Sequence, residues 1–393
     1  MPLRSRARSS EIRAAVLIVA ASGRALAAAA RRAGFRPLAL DYFGDSDTRA
    51  LCATSRRIEG GFGSGFTAEN LIPALRELAQ GEEPCGAVYG AGFEDRAELL
   101  ELIANHWPLI GNEPQAVKRA KDPVQLSSLC AGLKIPHPEI RLTKPADPVN
   151  WLAKSAGGAG GMHVRPAAGA WTEDAATYFQ RKAEGEPISV QFLANGDQAC
   201  VIGLTRQWAA PAPGAPFRFG GLMRPAILSP EIDRALRQAT GKIARALKLR
   251  GLNTIDYLVS DEGYTLIEIN PRPGAALDIF EDPKGSLFRA HINACGGSLP
   301  DRPFEFAGAA AAAIAYVRDA VGCVPEFRWP GWTADRPTAK TALRRGDPLC
   351  TVKAHAAEPS SARARAEARI NLLLGRLAPI QRRKSNDGKE TTL

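Results

Sequence analysis

Residues 253–272 read NTIDYLVSDEGYTLIEINPR, and this segment is the strongest guide to the architecture. Two runs of apolar and β-branched residues flank a Ser-Asp-Glu-Gly turn, which predicts a β-hairpin. The period of two along a strand puts Glu268 and Asn270 together on one face. Ile267 and Ile269 then fall on the opposite face, where we expect them to meet the core.

The hairpin carries a candidate metal site. If its loop has three or five residues, Asp256 lies directly opposite Glu268. Facing carboxylates repel unless a cation or a proton lies between them. With the amide oxygen of Asn270 they form a hard oxygen site that suits Mg²⁺ bridging nucleotide phosphates. Pro271 ends the strand, and Arg272 is placed to hold a phosphoryl group bidentately. The alternative is an edge hairpin with solvated carboxylates.

A glycine-rich loop lies upstream of the hairpin. Trp151–Lys154 reads as a short strand that runs into Ser155–Gly161, which has four glycines in seven residues. Such a loop lets backbone N–H groups approach phosphate oxygens. It is not a Walker loop, because no Gly-Lys-Ser/Thr closes it. Taken alone, it is equally well explained as a flexible hairpin.

The N-terminal part alternates strands and helices. Ala15–Ala20 is a continuous apolar run, Arg24–Arg32 is an alanine-rich helix, and Arg36–Leu40 is the next strand. This βαβ unit predicts a parallel sheet. Gly86–Tyr89 is a further strand and opens into Gly90–Glu94, at the edge where such sheets bind ligands. A dinucleotide site is disfavoured, because no G-x-G-x-x-G follows the first strand.

Composition excludes several classes of protein. The chain has 393 residues, 45% hydrophobic and 23% charged, which suits two or three globular domains. Seven scattered cysteines without a C-x-x-C pair disfavour a disulfide scaffold and a zinc site. The net charge is +10, but much of it lies in residues 1–13 and 376–393, so no nucleic-acid partner is expected.

Membrane and export signals are weak. The longest uncharged apolar stretch, Phe306–Val317, is too short to span a bilayer as a helix. The arginine-rich start followed by Ala14–Ala21 is similar to a signal peptide, but Arg24 interrupts it and the same residues read well as a strand. We therefore expect a cytoplasmic protein with no membrane partner.

The order of these parts resembles the ATP-grasp superfamily. The resemblance rests on Ile267–Arg272, on Asp256 upstream and on Lys154 before a glycine loop, and it covers roughly residues 15–300. It implies an α/β and α+β fold with an N-terminal parallel-sheet domain, two lobes that clasp ATP and a C-terminal extension. ATP-grasp enzymes typically phosphorylate a carboxylate and let an amine attack the acyl phosphate.

The resemblance also implies roles for individual residues, with ATP and one or two Mg²⁺ ions as cofactors and Mn²⁺ as an alternative. The metal ligands would be Asp256, Glu268 and Asn270. The catalytic residues would be Arg272, which steadies the transferred group, and Lys154, which contacts the phosphates. The cofactor-binding residues would be Lys121, Lys154, the loop residues Gly157, Gly158, Gly160 and Gly161, the interlobe hinge residues Gln180, Arg181, Lys182, Ala183 and Glu184, and Glu186.

One departure from the family pattern concerns the first ATP lysine. The family usually has an Asp-Lys pair here, whereas residues 118–123 read KRAKDP and Pro123 stands in the lysine's place. Lys121 or Lys118 substitutes, or the contact is lost. For both lysines the alternative is an exposed position on a helix.

Substrate contacts are less defined in the sequence. Asp278 and Glu281 follow the metal strand and could bind an amine, although a surface role explains them equally well. No general base is identifiable. His163 and His291 lie near the relevant segments, but lone histidines are more often structural.

The predicted domain organisation follows from these parts. Ser360–Leu374 reads as a helix within a C-terminal extension. The predicted units are a basic tail at 1–13, an N-terminal α/β domain at 14–113, an ATP-grasp domain at 114–300 with lobes at about 114–178 and 179–300, the extension at 301–377 and a disordered tail at 378–393.

We expect an ATP-dependent carboxylate–amine ligase that forms a C–N bond, releases ADP and acts on a glutamate-like amino acid in biosynthesis. Its partners would be a small-molecule carboxylate and an amine, with a homodimer expected by analogy. Within the superfamily the chain is similar to tyramine–glutamate ligase-like enzymes of one-carbon carrier biosynthesis. An ATP-grasp carboxylase or kinase and a non-catalytic nucleotide-binding regulator stay open as alternatives.

Overall fold

The structure is a computed structural model that describes residues 14–59, 65–169, 175–326 and 328–387. The predicted basic tail at residues 1–13 lies outside these ranges. Within them the strands form three sheets, one of five strands, one of four and one of eight. No helix in the described ranges is both long enough and apolar enough to cross a membrane.

The first sheet is parallel and has the strand order β3-β2-β1-β4-β5 within the described residues. Its strands are β1 (Ala15–Val19), β2 (Arg36–Asp41), β3 (Thr54–Arg57), β4 (Pro84–Tyr89) and β5 (Leu109–Ile110). Its helices are α1 (Arg24–Arg32), α2 (Ser46–Leu51), α3 (Ala68–Leu78) and α4 (Ala97–Ala104). β1 is buried along its whole length, as its uninterrupted apolar run predicts. The strand order reverses between β1 and β4, which makes their carboxyl edge the expected ligand-binding edge.

Two short helices connect this sheet to the rest of the chain, and the KRAKDP segment spans the end of one and the start of the other. They are α5 (Pro114–Lys121) and α6 (Pro123–Leu133). The Asp122 carboxylate accepts hydrogen bonds from the backbone N–H groups of Val124 and Gln125 and caps α6. Pro123 occupies the first position of α6, where a missing N–H costs nothing. The first helix therefore ends at Lys121, and after the cap residue Asp122 a new helix starts at Pro123.

The second sheet is antiparallel, with the order β6-β9-β7-β8. Its strands are β6 (Ile140–Arg141), β7 (Trp151–Ser155), β8 (Val164–Pro166) and β9 (Thr177–Arg181). The glycine-rich loop joins β7 to β8, so it projects from one end of this small lobe.

The third sheet has the order β14-β13-β10-β11-β12-β15-β17-β16 among the described residues. Its strands are β10 (Glu186–Asn195), β11 (Ala199–Ala209), β12 (Phe219–Arg224), β13 (Arg250–Ser260), β14 (Gly263–Asn270), β15 (Ala309–Tyr316), β16 (Thr333–Ala334) and β17 (Pro348–Ala356). Its helices are α7 (Pro230–Ala246), α8 (Leu277–Phe280), α9 (Ser286–Cys295) and α10 (Pro359–Asp387). Because β15 pairs with β12, the strands of the predicted C-terminal extension continue the sheet of the second lobe.

Two sequence expectations about the C-terminal part and the hairpin need correction. The last helix extends to Asp387, past Leu374, so the first ten residues of the predicted disordered tail continue the helix backbone. Residues 388–393 lie outside the described ranges.

In the hairpin, Ile267 does not join the core. A bulge puts Tyr257 opposite Leu266 and Asp256 opposite Glu268, which leaves Ile267 as the extra residue. The core residues of β14 are therefore Leu266 and Ile269.

Candidate functional site

The predicted carboxylate pair forms at the end of the β13–β14 hairpin. Asp256 and Glu268 are opposite each other in the register, although the turn has only two residues, because the bulge supplies the extra residue that a longer loop would have given. Asn270 Nδ2 donates to Asp256 Oδ2 at 2.9 Å. Gln207 on β11 donates its amide Nε2 to the other oxygen of Asp256 at 3.0 Å. The two carboxylates and the amide therefore converge at one site.

The surroundings shift the pKa values of the two carboxyl groups in opposite directions. Burial and the nearby charge of Glu268 raise the pKa of Asp256 to about 6. Burial also opposes ionisation of Glu268, but the positive charges of Lys121 and Lys154 hold its pKa at about 2. Within the described residues no three histidine, cysteine or acidic side chains converge as a metal site. A hard cation here would rest on two carboxylates and one amide oxygen, a donor set that suits Mg²⁺.

Lys121 belongs to this site and Lys118 does not. Lys121 Nζ donates to Glu268 Oε1 at 2.6 Å and to Asn270 Oδ1 at 3.0 Å. Lys118 lies one turn earlier on an exposed face of α5. Lys121 is therefore the residue of the KRAKDP segment that can take the place of the usual lysine.

Lys154 approaches from the small lobe. It lies on β7, is buried, and donates to Gln180 Oε1 on the neighbouring strand β9 at 3.3 Å. Its ammonium lies 5.8 Å from the centre of the Tyr178 ring. The positive charge of Lys154 also lowers the pKa of Glu268 on the opposite sheet, so the two lobes face each other across this site.

The glycine-rich loop lies closed over the site. A Cβ on Gly157 would come within 2.5 Å of Asp95 in the N-terminal part, and Gly160 accepts a hydrogen bond from Phe219 N at 2.9 Å. Gly157, Gly160 and Gly161 have positive φ, which explains why this loop needs glycine. The loop and its neighbours line a pocket formed by Ala120, Lys121, Pro123, Leu126, Ser155, Ala156, Gly157, Gly158, His163, Tyr178, Ile267 and Glu268.

His163 lies inside this pocket, although the sequence favoured a structural role. Its ring packs against Gly158 and hydrogen-bonds the backbone of Ala159, while Nδ1 is buried without a partner. Burial lowers its pKa to about 4. Its position two residues after the last loop glycine was the only sequence signal, and that spacing does not say which way a closed loop turns its side chains.

The charged hinge side chains do not reach the cluster of lysines and carboxylates. Lys182 pairs with Glu184 at 3.1 Å, and Glu186 pairs with Arg206 at 2.6 Å, all at or near the surface. Arg181 is also exposed. Ala183 is half-buried, and only Gln180 turns its side chain inward, to Lys154. Any nucleotide contact by residues 181–184 in this arrangement would come from the backbone.

Arg272 joins the hairpin to the N-terminal sheet. Its Nε donates to Glu94 Oε1 at 2.7 Å, and Glu94 also accepts the backbone N–H groups of Gly92 and Phe93. Burial opposes the ionisation of Glu94, but Arg272 and Lys121 keep its pKa below the ordinary value. Glu94 follows β4 on the predicted ligand-binding edge, and its contact with Arg272 was not expected from the sequence.

Asp278 and Glu281 are not free to bind an amine. Asp278 is paired with Arg24. Glu281 accepts hydrogen bonds from the backbone N–H groups of Leu287 and Phe288 at the start of α9. His291 is also structural, because its ring contacts Leu252 N and Ile110 O. These residues hold the fold around the site.

Comparisons with known proteins bear on the fold of the region that carries this site. Residues 125–276 match the ATP-grasp domain family. The large chain of carbamoyl phosphate synthase from Deinococcus deserti is 24% identical over 225 residues, which cover 50% of this chain and 22% of that protein. This chain thus spans about a fifth of the length of the curated relatives it matches.

Two solved structures share the fold. The biotin carboxylase domain of Hydrogenobacter thermophilus 2-oxoglutarate carboxylase, in complex with MgADP, ADP and bicarbonate, has a TM-score of 0.67 and 12% identity over 90% of this chain and 88% of that one. N5-carboxyaminoimidazole synthetase from Staphylococcus aureus has a TM-score of 0.64 and 13% identity over 91% of this chain and 97% of that one. At this identity the likeness establishes the architecture alone.

Proposed function

From the premise that this chain carries an ATP-grasp domain, we propose that it is an ATP- and Mg²⁺-dependent ligase that activates a carboxylate for attack by an amine. The observation that carries the proposal is the meeting of Asp256, Glu268 and Asn270 with Lys121 and Lys154 beneath a closed glycine loop. This set offers oxygen ligands for a cation and ammonium groups for phosphates. Two of its members, Lys121 and Glu268, line the pocket under the loop.

The chain's own residues would neutralise the charge of the triphosphate. Lys121 now pairs with Glu268, so a cation bound by Glu268 would release the lysine towards the phosphates. Lys154 and the backbone N–H groups of the glycine loop would hold phosphate oxygens from the other lobe. When bound, Mg²⁺ supplies charge neutralisation and fixes the phosphate geometry. Catalysis of this kind rests on positioning and electrostatics.

The reaction would have two steps. A substrate carboxylate oxygen attacks the γ-phosphorus, the bond to the β–γ bridging oxygen breaks, and ADP leaves. The amine nitrogen then attacks the acyl carbon, the bond from that carbon to the phosphate oxygen breaks, and inorganic phosphate leaves while the nitrogen loses a proton to water. Arg272 would hold the acyl phosphate, because its guanidinium lies beside Asn270 at the junction with the N-terminal sheet.

An amino acid of the glutamate type is our proposed substrate, and it rests on the family resemblance. Carboxylation is the second candidate. It is favoured by the likeness to a biotin carboxylase domain in complex with MgADP and bicarbonate, since bicarbonate could take the place of the carboxylate. The acid that is activated, an organic carboxylate or bicarbonate, separates the two candidates.

The test is phosphate release from ATP and Mg²⁺ across pools of amino acids, amines and bicarbonate, with wild type and Glu268→Ala compared. Glu262→Ala on the exposed turn of the same hairpin is the matched control. We expect release that needs both a carboxylate and an amine, persists in the control and is lost in Glu268→Ala. Release that needs bicarbonate in place of an organic carboxylate would favour carboxylation. Tight ATP binding without stimulated release in any pool would contradict both.

A further inference from the structure

Gln191 on β10 has an amide without hydrogen-bond partners. The residue is 1% exposed, and both its Nε2 and its Oε1 are buried and unpaired. Among the described residues it is the only side chain with two such atoms. An unpaired buried amide is costly, and native proteins keep few of them. A group that stays unpaired in the free protein is therefore a candidate for pairing with a ligand.

The strand register places Gln191 on the face of the sheet that carries the carboxylates. Gln191 is opposite Thr254 on β13, and Thr254 is opposite Asn270 on β14. Residues opposite each other in antiparallel strands project to the same face. Ser189, two residues before Gln191, hydrogen-bonds Asp256 on that face. The neighbour of Gln191 on the other face, Val190, is in the core under α7.

The segment after Arg272 covers this row of side chains. A Cβ added to Gly274 would contact Arg272 Nη1 and Thr254 Oγ1 at 3.1 and 3.4 Å. On the other side of Gln191, Gly203 lies under the Phe280 ring, where a Cβ would come within 2.6 Å. Gln191 is thus enclosed between the arginine end of the site and α8.

We propose that Gln191 recognises one substrate of the proposed ligase, through a group that carries a hydrogen-bond donor and an acceptor side by side. An amino acid's ammonium and carboxylate, or a carboxamide, offers this pair. The amide Oε1 would accept from the ligand and Nε2 would donate to it. Two strand spacings separate Gln191 from Asn270, about 10 Å, so a substrate of amino-acid size can reach both ends. This inference rests on the proposed function.

The test compares Gln191→Met, which keeps the volume and removes both polar atoms, with Gln198→Met on an exposed turn. In Gln191→Met we expect the KM of either the carboxylate or the amine substrate to rise about 10- to 100-fold, because a polar group of that substrate loses its partner. The KM of ATP should stay within about twofold. The melting temperature should stay level or rise, because an unpaired amide has been removed. Gln198→Met should resemble wild type in all three measurements.

Substrate analogues complete the test. For wild type, an analogue without the donor, such as a deaminated amino acid, should lose about 10-fold or more in kcat/KM, and Gln191→Met should no longer distinguish it from the parent. An unchanged KM for every substrate in Gln191→Met, with wild-type turnover intact, would overturn the inference and leave the ligase standing. Absence of substrate-stimulated turnover in wild type would instead overturn the proposed function.

Discussion

Two charged clusters join parts of the chain that are distant in sequence, and they are built differently. The nucleotide cluster, which consists of Lys121, Lys154, Asp256, Glu268 and Asn270, is held by lysines that each make one or two contacts. The anchor cluster consists of Arg24, Asp278 and Asp335 with Asp45 and Asp47. Arg24 donates from Nε and Nη2 to the two oxygens of Asp335 at 3.0 Å, and from Nη1 and Nη2 to the two oxygens of Asp278.

We interpret the nucleotide cluster as a binding site and the anchor cluster as a structural support. Arg24 lies at the start of α1, Asp278 in α8 and Asp335 just after β16, so one buried guanidinium joins the N-terminal sheet, the ATP-grasp part and the C-terminal strands. A planar guanidinium fixes two carboxylates in place, whereas a lysine ammonium is a mobile point charge that can change partners. We expect the nucleotide cluster to govern activity and the anchor cluster to govern stability.

Glu268→Gln should give the largest effect. It removes a charge that the cation and Lys121 both need, so substrate-stimulated phosphate release should fall by about 10³-fold or more. The fold should tolerate the change, since the amide still accepts from Lys121, and the melting temperature should move by only a few degrees. Parallel rate and calorimetric measurements check this. Loss of folding with loss of activity would mean that the two clusters do not differ as proposed.

Arg24→Met should have the opposite profile. Removing one partner of a buried ion cluster leaves uncompensated carboxylates and costs about 3–5 kcal/mol of unfolding free energy. Urea titration measures the loss, with Arg237→Met as the control because its pair with Asp233 is an exposed i,i+4 contact worth a few tenths of a kcal/mol. A stable variant with a raised KM for substrate would place Arg24 in the site and break the distinction.

Lys121→Met and Lys118→Met sharpen the assignment of the first ATP lysine. The contacts of Lys121 predict a KM for ATP about 10- to 100-fold higher in Lys121→Met, the cost of one charge-assisted hydrogen bond. The exposed Lys118 predicts no change in its variant. Equal effects of the two substitutions on ATP affinity would contradict the assignment.

The pH dependence of stability tests the anchor cluster. Asp45 is buried without a side-chain cap contact, and burial together with Asp335, Asp41 and Asp47 raises its pKa to about 8. A raised carboxyl pKa stabilises the fold below the ordinary value of 3.8, and this contribution is lost as pH rises through about 8. The unfolding free energy of Asp45→Asn relative to wild type should therefore increase by more than about 1 kcal/mol between pH 5 and 9. A constant difference across this range would refute the raised pKa.

The sequence predicted the parts of the site that depend on local period. It placed Asp256 opposite Glu268 only for a loop of three or five residues, whereas the turn has two and a bulge restores the pairing. Glu268 and Asn270 could be placed together because a strand alternates. The bulge at Ile267 could not be foreseen, because it depends on how β14 meets β13. The contact between Arg272 and Glu94 joins residues 178 positions apart. Gln191 reads as an ordinary strand residue until the register sets it beside Thr254.

The departure at Pro123 shows a similar limit. KRAKDP offered two lysines, and the choice needed the end of one helix and the start of the next. The Asp122 cap and Pro123 at the first turn of α6 supply that boundary, and it leaves Lys121 facing Glu268. The sequence alone does not show that Glu268 lies next to the end of the helix that carries Lys121.

The most direct test of the central claim uses a substrate whose carboxylate is labelled with ¹⁸O. If the nucleotide cluster activates the carboxylate as an acyl phosphate, one labelled oxygen must leave with inorganic phosphate, because the bond from carbon to that oxygen breaks when the amine attacks. We predict ¹⁸O in the released phosphate in proportion to product, and none in Glu268→Gln. Product formation with unlabelled phosphate would contradict carboxylate activation.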